Sequence, residues 1–348
     1  MSESIHVAMR GIERADHDLA RLAPARGSIL QRIRREALAR NAFATASIEG
    51  NPLTLPEVES LLRLNVSPAR SHDKDELEIL NYIAFMASPQ ATLAPRTPDD
   101  IRLVHAALFR DVFKDAGEWK KRPNFIARRS DMAVVYVPTE PKRVEDELAS
   151  ALEWLHGATK HPPLVRALLF HHEFESIHPF RDGNGRAGRA LTPMILHEFG
   201  YAGSAYAQID YRIYKARDAY YENLARVERA KFEDYTSWLG FMLLILRDAY
   251  TEAVQTALFQ RALPADLTER QRSIAEWFAM LHHEDAAKRV KFNDVHHAFP
   301  EIAERTLKRD LTNLRDAGIL EVEGELKGTT YRLRTPATPG GEPPRPPF

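Results

Sequence analysis

The 348-residue chain contains no cysteine, which rules out disulfides and thiol chemistry while leaving the compartment open. It also lacks a charge imbalance: the formal net charge is −1, so no global field draws it to nucleic acid or anionic membrane. Long apolar runs are missing as well. The longest, around Trp238 to Leu246, ends at Arg247 and is too short to span a bilayer. The opening residues MSESIHVAMR hold no apolar core of a signal peptide, so a soluble, cytoplasmic protein without membrane association is expected. Against these absences stands a chain long enough for two or three domains and a substantial core.

One stretch is rich in chemistry: His178-Pro179-Phe180-Arg181-Asp182-Gly183-Asn184-Gly185-Arg186-Ala187-Gly188-Arg189. Gly183 and Gly185 let backbone N–H groups approach an anion closely, which bulkier residues would block. The apolar run after Arg189 (Ala190, Leu191, Met194, Ile195, Leu196) reads as a helix, whose N-terminus favours negative charge. Arg186 and Arg189, spaced i and i+3, are expected to project from one face toward the same anion. Asp182 supplies a hard oxygen, suited to a Mg2+ carried in on phosphates. Together these residues predict a phosphate-handling site.

The segment resembles the signature of Fic proteins, His-x-Phe-x-Asp-Gly-Asn-Gly-Arg-x-x-Arg, with every defined position matched. The resemblance implies a mainly α fold: a Fic-type helical core with a β-hairpin flap. It also implies a protein adenylyltransferase that moves AMP from ATP to a Ser, Thr or Tyr hydroxyl of a target protein or of itself. His178 is then the general base, a role that suits an imidazole titrating near neutral pH. Asp182 holds Mg2+, and nucleotide and phosphate contacts fall to Gly183, Asn184, Gly185, Arg186, Ala187, Gly188 and Arg189. Phe180 is expected to pack inward, and Arg181, at a variable position, has no assigned role.

Upstream, Ser28 to Glu49 reads as a helix closed by Gly50-Asn51-Pro52,. Glu49 faces the unfavourable negative end of that helix's dipole and is better tolerated beside a cation. The segment Thr45-Ala46-Ser47-Ile48-Glu49-Gly50 resembles the inhibitory motif of Fic proteins. By that resemblance Glu49 pairs with Arg189 and keeps the γ-phosphate from settling productively.

Further helices are expected over Asp73 to Met86, Ile101 to Phe109, Val144 to His156 and Leu164 to Ile177. Between Arg122 and Pro138, two short strands flank a polar turn, Arg128 to Asp131, and read as a hairpin. In the family this flap (residues 122–138) docks the target through main-chain bonds. Lys120, in Gly117-Glu118-Trp119-Lys120, stands where relatives often have arginine. The Tyr220-Tyr221 pair resembles a position lining the adenine pocket, with Tyr221 the first choice. His171, His172, Glu173 and Glu175 lack zinc-site spacing, and packing is the better reading.

Leu263-Pro264 begins a separate module. Expected helices over Gln271 to His282, Phe292 to Phe299 and Ile302 to Ala317, with a two-stranded ribbon, resemble a winged helix. Residues 265–334 carry twelve Lys and Arg against thirteen Asp and Glu, so protein contact is favoured over DNA contact. The expected organisation is an N-terminal helical region (1–95), a catalytic core (96–262), a winged-helix module (263–334) and a Pro/Gly-rich disordered tail (335–348), assembled as a homodimer. Two rivals stand beside transfer of AMP. One is a nucleotide-sensing winged-helix transcription regulator; the other is removal of AMP, or another phosphoryl transfer, on the same scaffold.

Overall fold

The structure, a computed structural model, describes residues 3–22, 27–71, 73–127, 134–229, 234–324 and 328–334. It is mainly helical, as the sequence leads one to expect. The chain divides into two compact units, residues 1–255 and 256–348.

The first unit is built from α1 (Glu3–Leu22), α2 (Gly27–Glu49), α3 (Leu55–Arg63), α4 (Lys74–Ala87), α5 (Pro98–Leu108), β1 (Ile126–Ala127), β2 (Val134–Tyr136), α6 (Val144–His156), α7 (Pro163–Ile177), α8 (Asn184–Glu198), α9 (Ile209–Lys215), α10 (Arg217–Arg229) and α11 (Thr236–Ala262). The boundary between the units falls within α11, whereas the sequence suggested a break at Leu263. Local chemistry fixes several starts. At α5, the Thr97 N–H donates to Asp100 Oδ2 at 2.8 Å and the Asp100 N–H returns to Thr97 Oγ1 at 3.3 Å, a reciprocal cap ahead of Pro98. At α4, Asp73 Oδ1 accepts the Asp75 N–H at 2.8 Å,.

Helix α2 owes its central place to small side chains. Ala37, Ala39, Ala42, Ala44 and Ala46 are all buried, and without bulk at those positions its backbone packs against α4, α8 and α9. Ile48 is fully buried beside them; emptying its site would cost about 2–5 kcal/mol. Gly50, at φ +101, ends the helix in a conformation that residues with a Cβ rarely adopt. Glu49 is thereby delivered at the helix end against α8.

Strands β1 and β2 pair antiparallel, Ile126 opposite Tyr136 and Ala127 opposite Val134, at the place read as a hairpin. The polar turn assigned to Arg128–Asp131 lies outside the described residues. The tyrosine-rich stretch Tyr211–Asn223 is divided between two helices, α9 and α10. Ala216 interrupts it, its N–H donating to Arg212 O and Ile213 O at 3.2 and 3.1 Å, a tightened last turn that no glycine or proline announces.

The second unit contains α12 (Glu269–Glu284), β3 (Val290–Lys291), α13 (Phe292–Ala298), α14 (Glu304–Asp316), β4 (Leu320–Glu323) and β5 (Thr330–Leu333). Its sheet has the order β3-β5-β4, antiparallel throughout, one strand more than the expected ribbon. Ile274, Phe278, Leu307, Leu311 and Leu314 form its core. Asp310 is buried on α14 and accepts from Arg270 Nη2 and Gln271 Nε2, each at 3.2 Å. The tail, 335–348, lies outside the described residues. Among them no helix is long and apolar enough to cross a membrane.

Candidate active site

Helices α7 and α8 are joined by a tight loop, residues 178–183, that begins and ends in left-handed backbone: His178 at φ 51 and Gly183 at φ 81. Only glycine enters that region freely. At Gly183 a side chain is further excluded, because a Cβ would lie 2.5 Å from the Phe109 ring. Asn184 closes the loop from within: the Phe180 N–H donates to its Oδ1 at 2.8 Å and its Nδ2 donates to Phe180 O at 2.9 Å. Phe180 is fully buried and stacks on His105 with centroids 3.7 Å apart, the inward packing expected of it.

The start of α8 is an anion cradle by subtraction. The Gly183 N–H donates to Asp182 Oδ1 at 2.6 Å and the Ala187 N–H to Gly183 O at 2.9 Å. Between them, the N–H groups of Asn184, Gly185 and Arg186 have no acceptor among the described residues. Three unspent donors at the positive end of a helix are suited to receive an anion. Ala187 and Gly188 do not face it: Ala187 is fully buried, and a Cβ on Gly188 would meet Glu175 Oε1 at 2.4 Å and the Phe174 ring at 3.0 Å. Gly188→Ala should therefore destabilise the protein by about 1–3 kcal/mol through overpacking. Chemical denaturation checks this, and an unchanged midpoint would refute the α7–α8 packing described.

The two arginines do not converge on one point as their spacing suggested. Arg189 is buried, with its Nη2 donating to Glu49 Oε1 at 2.7 Å and to Thr45 O at 3.1 Å, and its Nε to Thr45 Oγ1 at 2.9 Å. Arg186 turns instead to Glu78 on α4 and, at 2.9 Å, to Asp182 Oδ1. The Phe109 and Phe113 rings lie 4.7 and 5.5 Å beneath its guanidinium, a cation–π seat. Long guanidinium side chains follow their tertiary partners rather than their helical register. Both cations are therefore held by carboxylates from separate helices, α2 and α4.

Glu49 also crowds the cradle. A Cβ at Gly185 would fall 2.7 Å from Glu49 Oε1, so the carboxylate lies against the backbone whose N–H groups are unspent. Beside it opens a cleft of about 690 Å³ lined by Glu49, Glu78, Phe113, Asp182 and Arg186 among others. His178 and Tyr221 lie outside that lining. Asp182 is largely exposed and offers the one carboxylate of the loop, fitting a Mg2+ held chiefly by phosphates and water rather than by a protein cage. Among the described residues, no group of three or more His, Asp or Glu stands ready to hold a metal.

The tautomer of His178 follows from its contact with a backbone carbonyl. Its Nδ1 lies 3.2 Å from Glu175 O; a carbonyl can only accept, so Nδ1 carries the proton and Nε2 keeps its lone pair. Burial pushes the imidazole down to about 4; the Glu175 carbonyl, Glu49 and Asp182 pull it back, and Lys120 pushes it further down. His105 follows the same logic. The Gly117 N–H donates to its Nδ1 at 2.9 Å, so its Nε2–H donates to Asp182 O at 3.0 Å, and burial lowers it to about 4. The Thr192 hydroxyl donates to Gly188 O at 3.0 Å, so it accepts the His171 Nδ1–H at 2.6 Å; Tyr220 OH then donates to Nε2 at 2.8 Å. Tyr220 is thus buried structure, while Tyr221 beside it is 41% exposed.

These imidazoles link stability to pH. Burial lowers His105 to about 4, His171 to about 3 and His178 to about 4, and it lowers His172 as well. Unfolded, each titrates near 6.5, so their stabilisation is complete above that pH and is lost as pH falls toward the folded values. Asp16 and Asp210 run the other way, both raised by burial, but two carboxyls oppose four imidazoles. For fully buried His171, roughly 2 kcal/mol should go between pH 6.5 and about pH 5. Melting temperatures across that window should decline steadily; a flat profile would contradict the neutral, buried state of these rings.

The sequence singled out His178, Asp182, the glycines, both arginines and Glu49, and the structure gathers these on three adjoining segments: the α2 end, the loop and the α8 start. It missed Glu78, which sits 108 positions from Arg186 with no motif to mark it. It gave Thr45 no role, although the inhibitory pattern contained it. His105 and Asn124 carried no signal beyond their residue type.

Comparison with known proteins places the geometry. Residues 95–196 match the Fic/DOC family model. Protein adenylyltransferase Fic of Drosophila ananassae is 28% identical over 179 residues, covering 49% of this chain and 34% of that protein. Protein adenylyltransferase fic-1 of Caenorhabditis briggsae is 24% identical over 180 residues, with the same coverage. The match thus spans about a third of the length of these curated relatives. Among solved structures, a Fic family protein from Desulfovibrio desulfuricans G20 superposes with a TM-score of 0.63 at 25% identity, covering 99% of this chain and 98% of that one.

Proposed function

From the Fic/DOC domain that the chain carries at residues 95–196, we propose that it is a protein adenylyltransferase held in check by Glu49. The Arg189–Glu49 pair beside unspent cradle N–H groups is the observation that carries this reading. In the reaction, a target hydroxyl oxygen attacks the α-phosphorus of ATP. The new O–P bond forms as the bond to the bridging oxygen breaks, and pyrophosphate leaves with that electron pair. His178 Nε2 receives the hydroxyl proton, its lone pair available because Nδ1–H is committed to Glu175 O,. The N–H groups of Asn184, Gly185 and Arg186 receive phosphate oxygens, and Arg186 and Arg189 neutralise the outer phosphates once their carboxylates release them. Asp182 would hold Mg2+, which supplies charge neutralisation on the phosphates.

Inhibition follows from occupancy. A γ-phosphate needs Arg189 and the space beside Gly185, and Glu49 fills both roles at once. The flap strands β1 and β2 suit docking of an extended target segment. Three helices and a three-stranded sheet support a winged-helix reading of the second unit, and its balanced charge favours a protein partner over DNA. The test is intact mass spectrometry after incubating Glu49→Gly protein with ATP, Mg2+ and cell lysate. A product heavier by one AMP residue supports transfer; addition of phosphate alone overturns it.

A further inference from the structure

We infer that Lys120 and Asn124 are positioning residues for His178, gripping the loop that presents the base and tying it to the flap. For its kinetic arm the inference rests on the transfer reading above. His178 adopts φ 51 and ψ 60, a left-handed conformation that costs a residue bearing a Cβ about 1–2 kcal/mol. Such a conformation persists only where its surroundings over-determine it.

The restraint comes from one short segment. The Lys120 N–H donates to Pro179 O at 2.9 Å, and Lys120 Nζ donates to Ile177 O at 3.2 Å. One residue thus holds the carbonyls on both sides of His178. Lys120 Nζ also donates to Asn124 Oδ1 at 2.9 Å, which leaves Asn124 Nδ2 oriented to donate to Phe180 O at 3.1 Å. Three carbonyls around the base, those of Ile177, Pro179 and Phe180, are therefore bonded from residues 120 and 124. Asn124 lies two positions before β1, so the hairpin and the base loop share this strap.

A lysine suits the position chemically. The Ile177 carbonyl is at the C-terminus of α7, where the helix dipole favours a cation. Lys120 is 4% exposed, and a buried ammonium is tolerated only when hydrogen-bonded. Burial lowers it to about 8 against the pull of Glu147 on α6. Its charge reaches His178, where it opposes the imidazolium while Glu49 and Asp182 favour it. The strap therefore fixes the loop that carries the imidazole and adds a smaller push to the burial that disfavours its charged form.

The experiment uses the full chain with Glu49→Gly. Lys120→Met keeps the stem and the backbone donor and removes the ammonium. Labelling should slow about 10- to 100-fold, while calorimetric ATP affinity stays within about twofold, because the cradle is untouched. The His178 ring, followed by NMR, should titrate at higher pH once the cation is gone. Lys120→Arg should restore most of the rate. Unchanged labelling together with an unmoved His178 titration would overturn the inference. If Lys120→Met does not fold, Asn124→Ala decides by the same two readouts. If Glu49→Gly protein itself never labels, the transfer reading fails, and the His178 titration alone then supports or overturns the strap.

Discussion

Glu49→Gly protein given ATP and Mg2+ should label itself or a target about 5- to 150-fold faster than the parent, the span of a coupling worth roughly 1–3 kcal/mol. The expectation follows from what Glu49 holds. Arg189 is 1% exposed and its guanidinium is committed to Glu49 and Thr45. Removing the carboxylate leaves the Thr45 bonds and frees the Nη2 donor that Glu49 occupied, beside the Gly185 backbone. The same change should weaken the nucleotide-free protein by about 1–3 kcal/mol, because a buried donor loses its acceptor. ATP should then recover most or all of that loss, since a ligand at a hundred times its Kd adds about 2.7 kcal/mol. Thermal melts with and without ATP test both halves. A variant as quiet as the parent, or one that gains no stability from ATP, would remove Glu49 from its assigned role.

His178→Ala should lower labelling by about 10²- to 10⁴-fold in the Glu49→Gly background, the usual worth of a positioned general base. The geometry makes the loss chemical rather than structural. The imidazole is bonded to the protein through Nδ1 and Glu175 O, and the loop around it is held by Asn184 and by the Lys120–Asn124 strap. ATP affinity should therefore survive, because no cradle donor or arginine depends on the ring. Because burial keeps the imidazole neutral down to about pH 4 in the nucleotide-free protein, acidification to pH 6 should not silence the Glu49→Gly enzyme through this group. Equal labelling with and without the imidazole would show that another group takes the proton.

How much of the fold and the site is legible in the sequence depends on locality. The loop and the start of α8 are readable because His178, Asp182 and the glycines lie within twelve consecutive residues. Helix α6 is expected at Val144–His156 and occupies the same span, since its apolar spacing is regular and Gly157 follows. The Arg189–Glu49 pair, 140 positions apart, is announced by the resemblance of two motifs to those of Fic proteins and not by spacing. Pairings without a motif stay hidden. Glu78 finds Arg186 only because α4 packs on α2 and α5, which both meet α8, and the Phe109–Phe113 seat lies under that guanidinium. The break at Ala216 is invisible for a different reason: it is made by backbone bonds, with no residue type to flag it. No motif marks Lys120 for a role, because its reach to Ile177 O is set by tertiary packing alone.

Calorimetry of ATP with Mg2+ against the parent, Glu49→Gly and Glu49→Gly/Arg189→Ala proteins probes the guarded phosphate site without relying on any target. About one ATP should bind per chain, measurably more tightly once Glu49 is removed, with that gain erased when Arg189 is removed as well. No nucleotide uptake by the Glu49→Gly protein, or uptake indifferent to Arg189, would be incompatible with a carboxylate that competes with phosphate for this arginine.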